Sequence, residues 1–409
     1  MKRVVITGVG AVSPFGTNVC SLIEGIEGGQ CAIKYMENWK DYVGLNSLVA
    51  APAELKNEKD IPRRKRRSMG RMGIFAAQAA EQAVKDSGLD KDIVTSGRVG
   101  CIIGSTIGSP EALTETFEAI IPSKDIAEIT SMEFFKFASH AAAMNVAQFL
   151  EISGFVMATS AACASSLQAL GTAFDLIRLG RQDAVLCGGV EEVHPTVTAI
   201  FDVLFATSSK FNDRPEESSR PFDVDRDGVV CGEGSGIIIL EEYEHALKRN
   251  AKIYAEVVGY HTCGSGRHIS QSSKDAMILC MDKALNNAGI LPEQVDYISA
   301  HATSTKQGDV EEAQAIKKIF GNNIPVSSLK GYIGHTLGAS GTIELIAALN
   351  MMKNGVIYPT LNLKNIAPEC EGIAHVRGFE KKNINVLVKN CFAFGGINAV
   401  LVCKKFRRG

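Results

Sequence analysis

"MATSAACASSLQALG", Met157 to Gly171, gathers small side chains around a single cysteine. Beyond it, Leu167, Leu170, Phe174 and Ile177 recur at helical spacing, and Arg178, Gly180 and Arg181 supply stop signals. Cys163 is therefore predicted at or just before a helix N-terminus. There the partial positive charge and free N–H groups favour a thiolate. Small neighbours permit a sharp turn and the close approach of a substrate. Taken alone, the stretch suits a gap-filling core cysteine better, because the chain has eleven cysteines.

Outward from this elbow, short Val/Ile-rich runs recur at Val4–Ile6, Val99–Ile103, Ala184–Cys187, Ile237–Leu240, Ile253–Val258, Tyr297–Ser299, Val386–Val388 and Ala399–Val402. Nearly continuous apolar strands imply burial on both faces. Helical patterns alternate with them at Gly70–Ser87, Leu167–Leu179, Ser273–Asn287 and Thr342–Met352. The pattern predicts a layered α/β protein. A seam near Glu241–Lys252 divides it into two similar halves, residues 1–247 with the cysteine and residues 248–409. The polar connection Lys210–Gly228 is too long for an ordinary link and is expected to be a folded surface loop with a function. "GVGAVS" after the first strand lacks the third glycine and the acidic residue of a dinucleotide fingerprint, and is read as a tight turn. "GEGSG", Gly232 to Gly236, precedes a strand, which makes it a poor phosphate loop.

Of 409 residues, 45% are hydrophobic and 22% charged, an ordinary globular balance. A net charge of −2 gives no general attraction for nucleic acid or membrane. The cysteines form no CxxC pair or zinc spacing, which fits a reduced, cytoplasmic compartment. The start lacks a signal-peptide core, and no apolar run is long enough to span a bilayer. "PRRKRRSMGR", Pro62 to Arg71, is open to two readings, a solvated helix start or a docking patch for an acidic partner.

Three later motifs change the reading of Cys163. "SAHATSTKQGDVEEA" places His301 at a strand end, followed by Thr303 and Thr305. "SSLKGYIGHTLGASGTIEL" places Lys330 and His335 in a glycine-rich turn that feeds a helix, and "NCFAFGGINAVLV" is a glycine-rich turn between strands. Together with the elbow, in this order, these motifs resemble the elongating β-ketoacyl-acyl-carrier-protein synthases along essentially the whole chain. The resemblance implies the thiolase fold, with two βαβαβαββ halves in a five-layered α-β-α-β-α arrangement.

It also implies a decarboxylative Claisen condensation. Cys163 would carry the acyl chain. The backbone amides of Cys163 and Phe394 would form the oxyanion hole, with Phe394 as gate. His301 and His335, kept neutral by burial and, for His335, by a helix N-terminus, would stabilise the enolate. Lys330 would hold His301 in place. Thr303, Thr305, Ser270 and Phe392 would line the path of the phosphopantetheine arm and substrate. Ile107 would lie at a bend in the acyl pocket, with Phe134 or Phe135 reaching in from a dimer partner. Asp309, Glu312, Glu344 and Lys389 would be structural near the site. No cofactor of the chain's own is implied, since phosphopantetheine arrives on the acyl carrier protein, and Arg63, Arg64, Lys65, Arg66 and Arg67 would dock that carrier. A homodimer is implied, or a heterodimer with a chain-length-factor paralogue.

The chain departs from the family at Ala302, Ala393 and Ile397, where Gly, Gly and Thr are usual, and at Ser265, where Asp is usual. Two of these changes lie in the gate loop. They bear on the pathway more than on the chemistry: fatty-acid elongation, the same condensation in polyene or polyketide assembly, or a non-catalytic subunit, which the intact Cys163, His301, Lys330 and His335 disfavour. Relatives often hold a metal cation where this chain has Ser299, Glu344 and Lys389. The lysine is expected to replace the ion and pair with Glu344, so no metal is expected.

Overall fold

The computed structural model describes residues 1–267, 269 and 271–407. Its framework is an eleven-stranded sheet. In chain order the strands are β1 (Val4–Val12), β2 (Val99–Gly104), β3 (Val156–Thr159), β4 (Ala184–Glu191), β5 (Gly234–Glu242), β6 (Ala255–Gly264), β7 (Tyr297–Ser299), β8 (Pro325–Ser327), β9 (Ala374–His375), β10 (Val386–Phe392) and β11 (Ile397–Lys405). Their spatial order is β9-β8-β7-β10-β11-β6-β1-β5-β4-β2-β3.

That order contains the same unit twice. From β1, the neighbours β5 and β4 add antiparallel, then β2 and β3 parallel. From β6, β11 and β10 add antiparallel, then β7 and β8 parallel. Among the described residues, the two units pair within the sheet along Val4–Ile6 against Ala255–Val257. Six helices complete the pattern: α1 (Arg71–Ser87), α2 (Ala141–Leu150), α3 (Ser165–Arg178), α4 (Lys274–Ala288), α5 (Lys306–Phe320) and α6 (Ser340–Asn354). With the two-residue edge strand β9 set aside, each half is thus a βαβαβαββ run, as the resemblance implies.

The cores explain the layering. α1 and α2 share one apolar cluster with the outer face of the first unit, and α4 and α5 share another with that of the second. α3 and α6 lie in the largest cluster, which takes residues from the strands of both units. A helix whose faces are all apolar must be covered on all sides, and α6 is buried almost throughout.

Two expectations need correction. "GVGAV" is no turn: Gly8–Val12 lies inside β1, with a bulge between Ile6 and Gly8. The glycines serve close packing, since a Cβ on Gly10 would sit 2.0 Å from the Ala79 carbonyl of α1. The Lys210–Gly228 loop is largely buried from Ser218 to Asp223. It works as an internal brace: Arg220 pairs with Asp223 at 2.9 Å, the Arg220 N–H donates to Ser304 Oγ, and the Phe222 N–H donates to Asp309 Oδ2 at 2.8 Å.

Candidate active site

Both central helices begin at the same place. β3 ends at Thr159, and the chain turns sharply into α3 with Ala162 at φ +47°, a left-handed conformation that costs a non-glycine residue strain. Ser165 holds this elbow, its hydroxyl accepting from the Ala161 N–H at 2.8 Å and donating to the Ala162 carbonyl at 2.7 Å. Cys163 follows the strained residue and is 4% exposed. In the other half, Gly334 at φ +66° turns the chain into His335, which leads into α6. The His335 N–H donates to the Val230 carbonyl at 2.7 Å, which fixes its depth.

His335 Nε2 lies 2.9 Å from Cys163 Sγ. The His301 ring stands edge-on to His335, with centroids 5.1 Å apart. One ligand atom from each of Cys163, His301 and His335 falls within 4.8 Å of the other two. A sulfur and two imidazoles around one point could also hold a soft cation. They suit equally a reacting carbonyl, which needs a nucleophile on one side and hydrogen-bond donors on the other.

Electrostatics set the resting protonation states. Burial lowers His301 well below the ordinary imidazole value, and the charges of Lys330 and Lys389 and the adjacent His335 ring, which cannot share a second proton, lower it further. Burial, Lys330 and Lys389 do the same for His335. Both rings are therefore neutral at pH 7, as expected, with the two ammoniums adding to burial. The thiolate expectation fails: burial pushes the Cys163 thiol up to about 12, Cys391 and Glu191 add to it, and Lys330 opposes it. A helix N-terminus does not outweigh desolvation of a fully enclosed sulfur. The resting pair is thus a thiol beside a neutral imidazole.

Lys330 is also not bonded to His301. Its ammonium donates to Glu344 Oε1 at 2.7 Å, so among the described residues it reaches the histidines by charge alone. Lys389 donates to the other Glu344 oxygen at 2.6 Å, the pairing expected from the sequence. An ammonium stands where a metal ion would need to sit, so these residues do not fit a bound cation. Glu312 takes the His301 and Ala302 N–H groups at 2.8 and 2.6 Å and Asn390 Nδ2 at 3.1 Å, and so fixes the loop that carries His301.

The reacting groups line a cavity of about 30 Å³ with Thr303, Thr305, Phe392 and Phe394. Outside lies a vestibule of about 650 Å³, which shares Phe394, Ser272, Gln271, Thr305 and Gly308 with it. Phe394 stands between the two spaces, its ring 5.8 Å from that of Phe201. The glycine loop that carries it is docked against Ser265 and Ile269. The Gly395 N–H donates to the Ile269 carbonyl at 2.7 Å, and the Ser265 N–H to Gly396 at 2.8 Å.

Other expected residues fall elsewhere. Ile107 is 45% exposed, Phe134 is 51% exposed and Phe135 half-buried, and none of them lines the cavity. Ser270 lies outside the described residues. In the basic run, Arg63, Arg64 and Arg67 are exposed, whereas Lys65 is tied to the Phe149 carbonyl and Glu151. Phe201, Gln271 and Ser272 were not legible from sequence. Nor was Glu191, which accepts from the Thr106 and Gly338 N–H groups at 2.9 Å and so fastens the two halves beside the elbow. Paired acids ending an apolar strand, "GGVEE", were its only signal.

Known proteins match this geometry along the chain. The beta-ketoacyl synthase N-terminal domain matches residues 1–246 and the C-terminal domain residues 254–364. The 3-oxoacyl-(acyl-carrier-protein) synthase 1 of Escherichia coli (strain K12) is 35% identical over 409 residues, covering 100% of both chains. The crystal structure of a beta-ketoacyl synthase from Burkholderia phymatum STM815 superposes with a TM-score of 0.96 at 40% identity, covering 100% of both. A type II polyketide synthase ketosynthase, solved with its acyl-carrier protein and a bound hexaketide, superposes at 0.91 and 32% identity over 99% of this chain and 100% of that one.

Proposed function

Because the chain belongs to the β-ketoacyl synthase family and is an acyltransferase of the 3-oxoacyl-(acyl-carrier-protein) synthase type, we propose that it elongates carrier-bound acyl chains through Cys163, His301 and His335. The carrying observation is the convergence of these three side chains on one cavity. Cys163 sulfur attacks the acyl thioester, and the carrier thiol departs. The thiol proton has a path through His335 Nε2, 2.9 Å away, to the departing sulfur. Malonyl-carrier then loses CO2. Neutral His301, and His335 in the tautomer that carries its proton on Nε2, donate to the enolate oxygen. The new carbanion attacks the Cys163 thioester carbonyl, the C–S bond breaks, and the Cys163 thiolate released takes a proton from solvent. The amides of Cys163 and Phe394 hold the oxyanion in both acyl transfers. Neutral imidazoles suit this step, because they can still donate a hydrogen bond without the desolvation cost of a buried cation.

Phosphopantetheine comes with the carrier and passes Thr303 and Thr305, whose hydroxyls lie 3.1 Å apart at the cavity wall. Arg63, Arg64 and Arg67 are offered to the acidic carrier. The chain works as a dimer in the cytoplasm, its halves divided near residue 247. Edge strand β3 leaves Phe155 and Val156 exposed beside the Ile107 and Phe134 segments, an apolar face suited to a second copy that would complete the acyl pocket. No described helix is long and apolar enough to cross a membrane.

A second reading is the same condensation in polyketide assembly beside a paralogous subunit. The likeness to a polyketide ketosynthase and the altered gate loop support it. Mass spectrometry of Cys163 after incubation with acyl-carriers of graded length and unsaturation tests both. Acylation is expected, and the preferred chain separates the pathways. Absence of acylation from any donor sinks the enzyme reading.

A further inference from the structure

Three strands set side chains from one register row against α6. Lys389 of β10 lies beside Ser299 of β7 in parallel register, and Ser299 beside Ser327 of β8. Glu344, on the facing helix, is fully buried, and so are Lys330 and Lys389. Each carboxylate oxygen receives one ammonium, Lys330 on Oε1 at 2.7 Å and Lys389 on Oε2 at 2.6 Å. Lys389 also donates to its neighbour's carbonyl, Asn390 O, at 2.8 Å. The buried Ser299 hydroxyl has no partner of its own among the described residues.

An isolated carboxylate in such a place would be strongly disfavoured, so Glu344 requires a counter-cation. One lysine leaves an oxygen bare. The second oxygen can be met by a metal ion or by a further ammonium, and here Lys389 fills the position. Burial disfavours the Lys389 ammonium, and the Glu344 carboxylate more than offsets this.

We propose that Lys389 is a built-in counter-cation that replaces a bound metal ion at Glu344, and that by fixing Glu344 it positions Lys330 behind the two catalytic histidines. Lys330 and Lys389 act on both His301 and His335 by charge, with Glu344 between the two ammoniums and Glu312 on the His301 loop as the facing carboxylates. That charge favours neutral rings and a negative oxygen in front of them. The catalytic consequence rests on the condensing-enzyme reading. The cation replacement does not, and it is read by metal content and melting whether or not Cys163 is acylated.

The test compares wild type, Lys389→Arg, Lys389→Ser and the double variant Lys389→Ser/Glu344→Gln after dialysis against chelator. Each is then titrated with potassium chloride, magnesium chloride or, as an ionic-strength control, tetramethylammonium chloride. Wild type and Lys389→Arg are expected to hold no stoichiometric metal and to melt at a temperature indifferent to the cation. Lys389→Ser is expected to melt lower and condense about tenfold more slowly, with potassium or magnesium, but not tetramethylammonium, restoring both. The double variant, with its anion neutralised, is expected to fold and ignore cations. Stoichiometric metal in wild type overturns the proposal, as does a folded Lys389→Ser that is indifferent to every cation. If Lys389→Ser does not fold, the double variant decides: folding supports the proposal, and failure overturns it.

Discussion

The two halves share one layout and solve one contact differently. Each brings a central helix against the strands beside its catalytic turn, Cys163 before α3 and His335 before α6. In the first half this contact is closed by absent side chains. A Cβ on Gly189 of β4 would lie 2.4 Å from the Gly338 carbonyl and 2.7 Å from Ser166 Cβ. In the second half the contact is filled by Lys389, Glu344 and Lys330. Under the proposed condensation, the first half would serve approach, which a nucleophile meeting a thioester requires, and the second potential, which a developing enolate requires.

The largest expected effect falls on the approach side. Cys163→Ala should lower condensation by on the order of 10³-fold or more and abolish the acyl adduct in mass spectrometry, leaving the fold intact. On the potential side, Glu344→Ala strands two buried ammoniums. It should cost about 3–5 kcal/mol of stability by denaturant titration, against far less for Glu344→Gln. Gly189→Ala presses a methyl into backbone and should cost about 1–3 kcal/mol. A cost equal to that of a surface alanine would break the comparison.

The pH profile sharpens it further. His301 and His335 have folded pKa values lowered by burial and the two lysines. Between those values and the ordinary value of about 6.5, the unfolded chain binds more protons than the native one. Stability should therefore fall as pH is lowered from about 6.5 and level off only below the folded values. Condensation should keep its neutral rings, and its rate, below pH 6.5. The smallest effect is expected from Arg63→Glu/Arg64→Glu/Arg67→Glu. It should raise KM for carrier-bound substrates by about tenfold or less, more at low salt, and spare small thioesters. An unchanged KM returns this run to a plain solvated helix.

The legible parts of the molecule were those written in local periodicity. Apolar strands, helical spacing and the small-residue elbow foreshadowed the α/β layers, and Lys389 opposite Glu344 was readable from the motifs. Protonation was not, because it depends on what encloses a group. Cys163 reads as a thiolate at a helix start until the surrounding layers remove its solvent. Lys330 reads as a partner of His301 until α6 offers Glu344. The glycines of β1 read as a turn because a close helix crossing leaves no signature in local sequence. Ile107 and Phe134 stay on the surface of the single chain, so their part in an acyl pocket depends on a neighbour.

The place of Phe394 between two spaces has a consequence for yield. Under the proposed condensation, a thioester on Cys163 would wait on the inner side of Phe394, in the narrow cavity beside His301 and His335, while the 650 Å³ vestibule lies beyond that ring. Hydrolysis and condensation compete for the same intermediate, and the wall limits the first by rationing its reagent. Each opening admits a malonyl group and solvent together. On that reading, the time the loop spends open would set the partition between chain growth and wasted chains. Ala393 and Ile397, bulkier than the residues usual in the family, lie in the segment that would have to move.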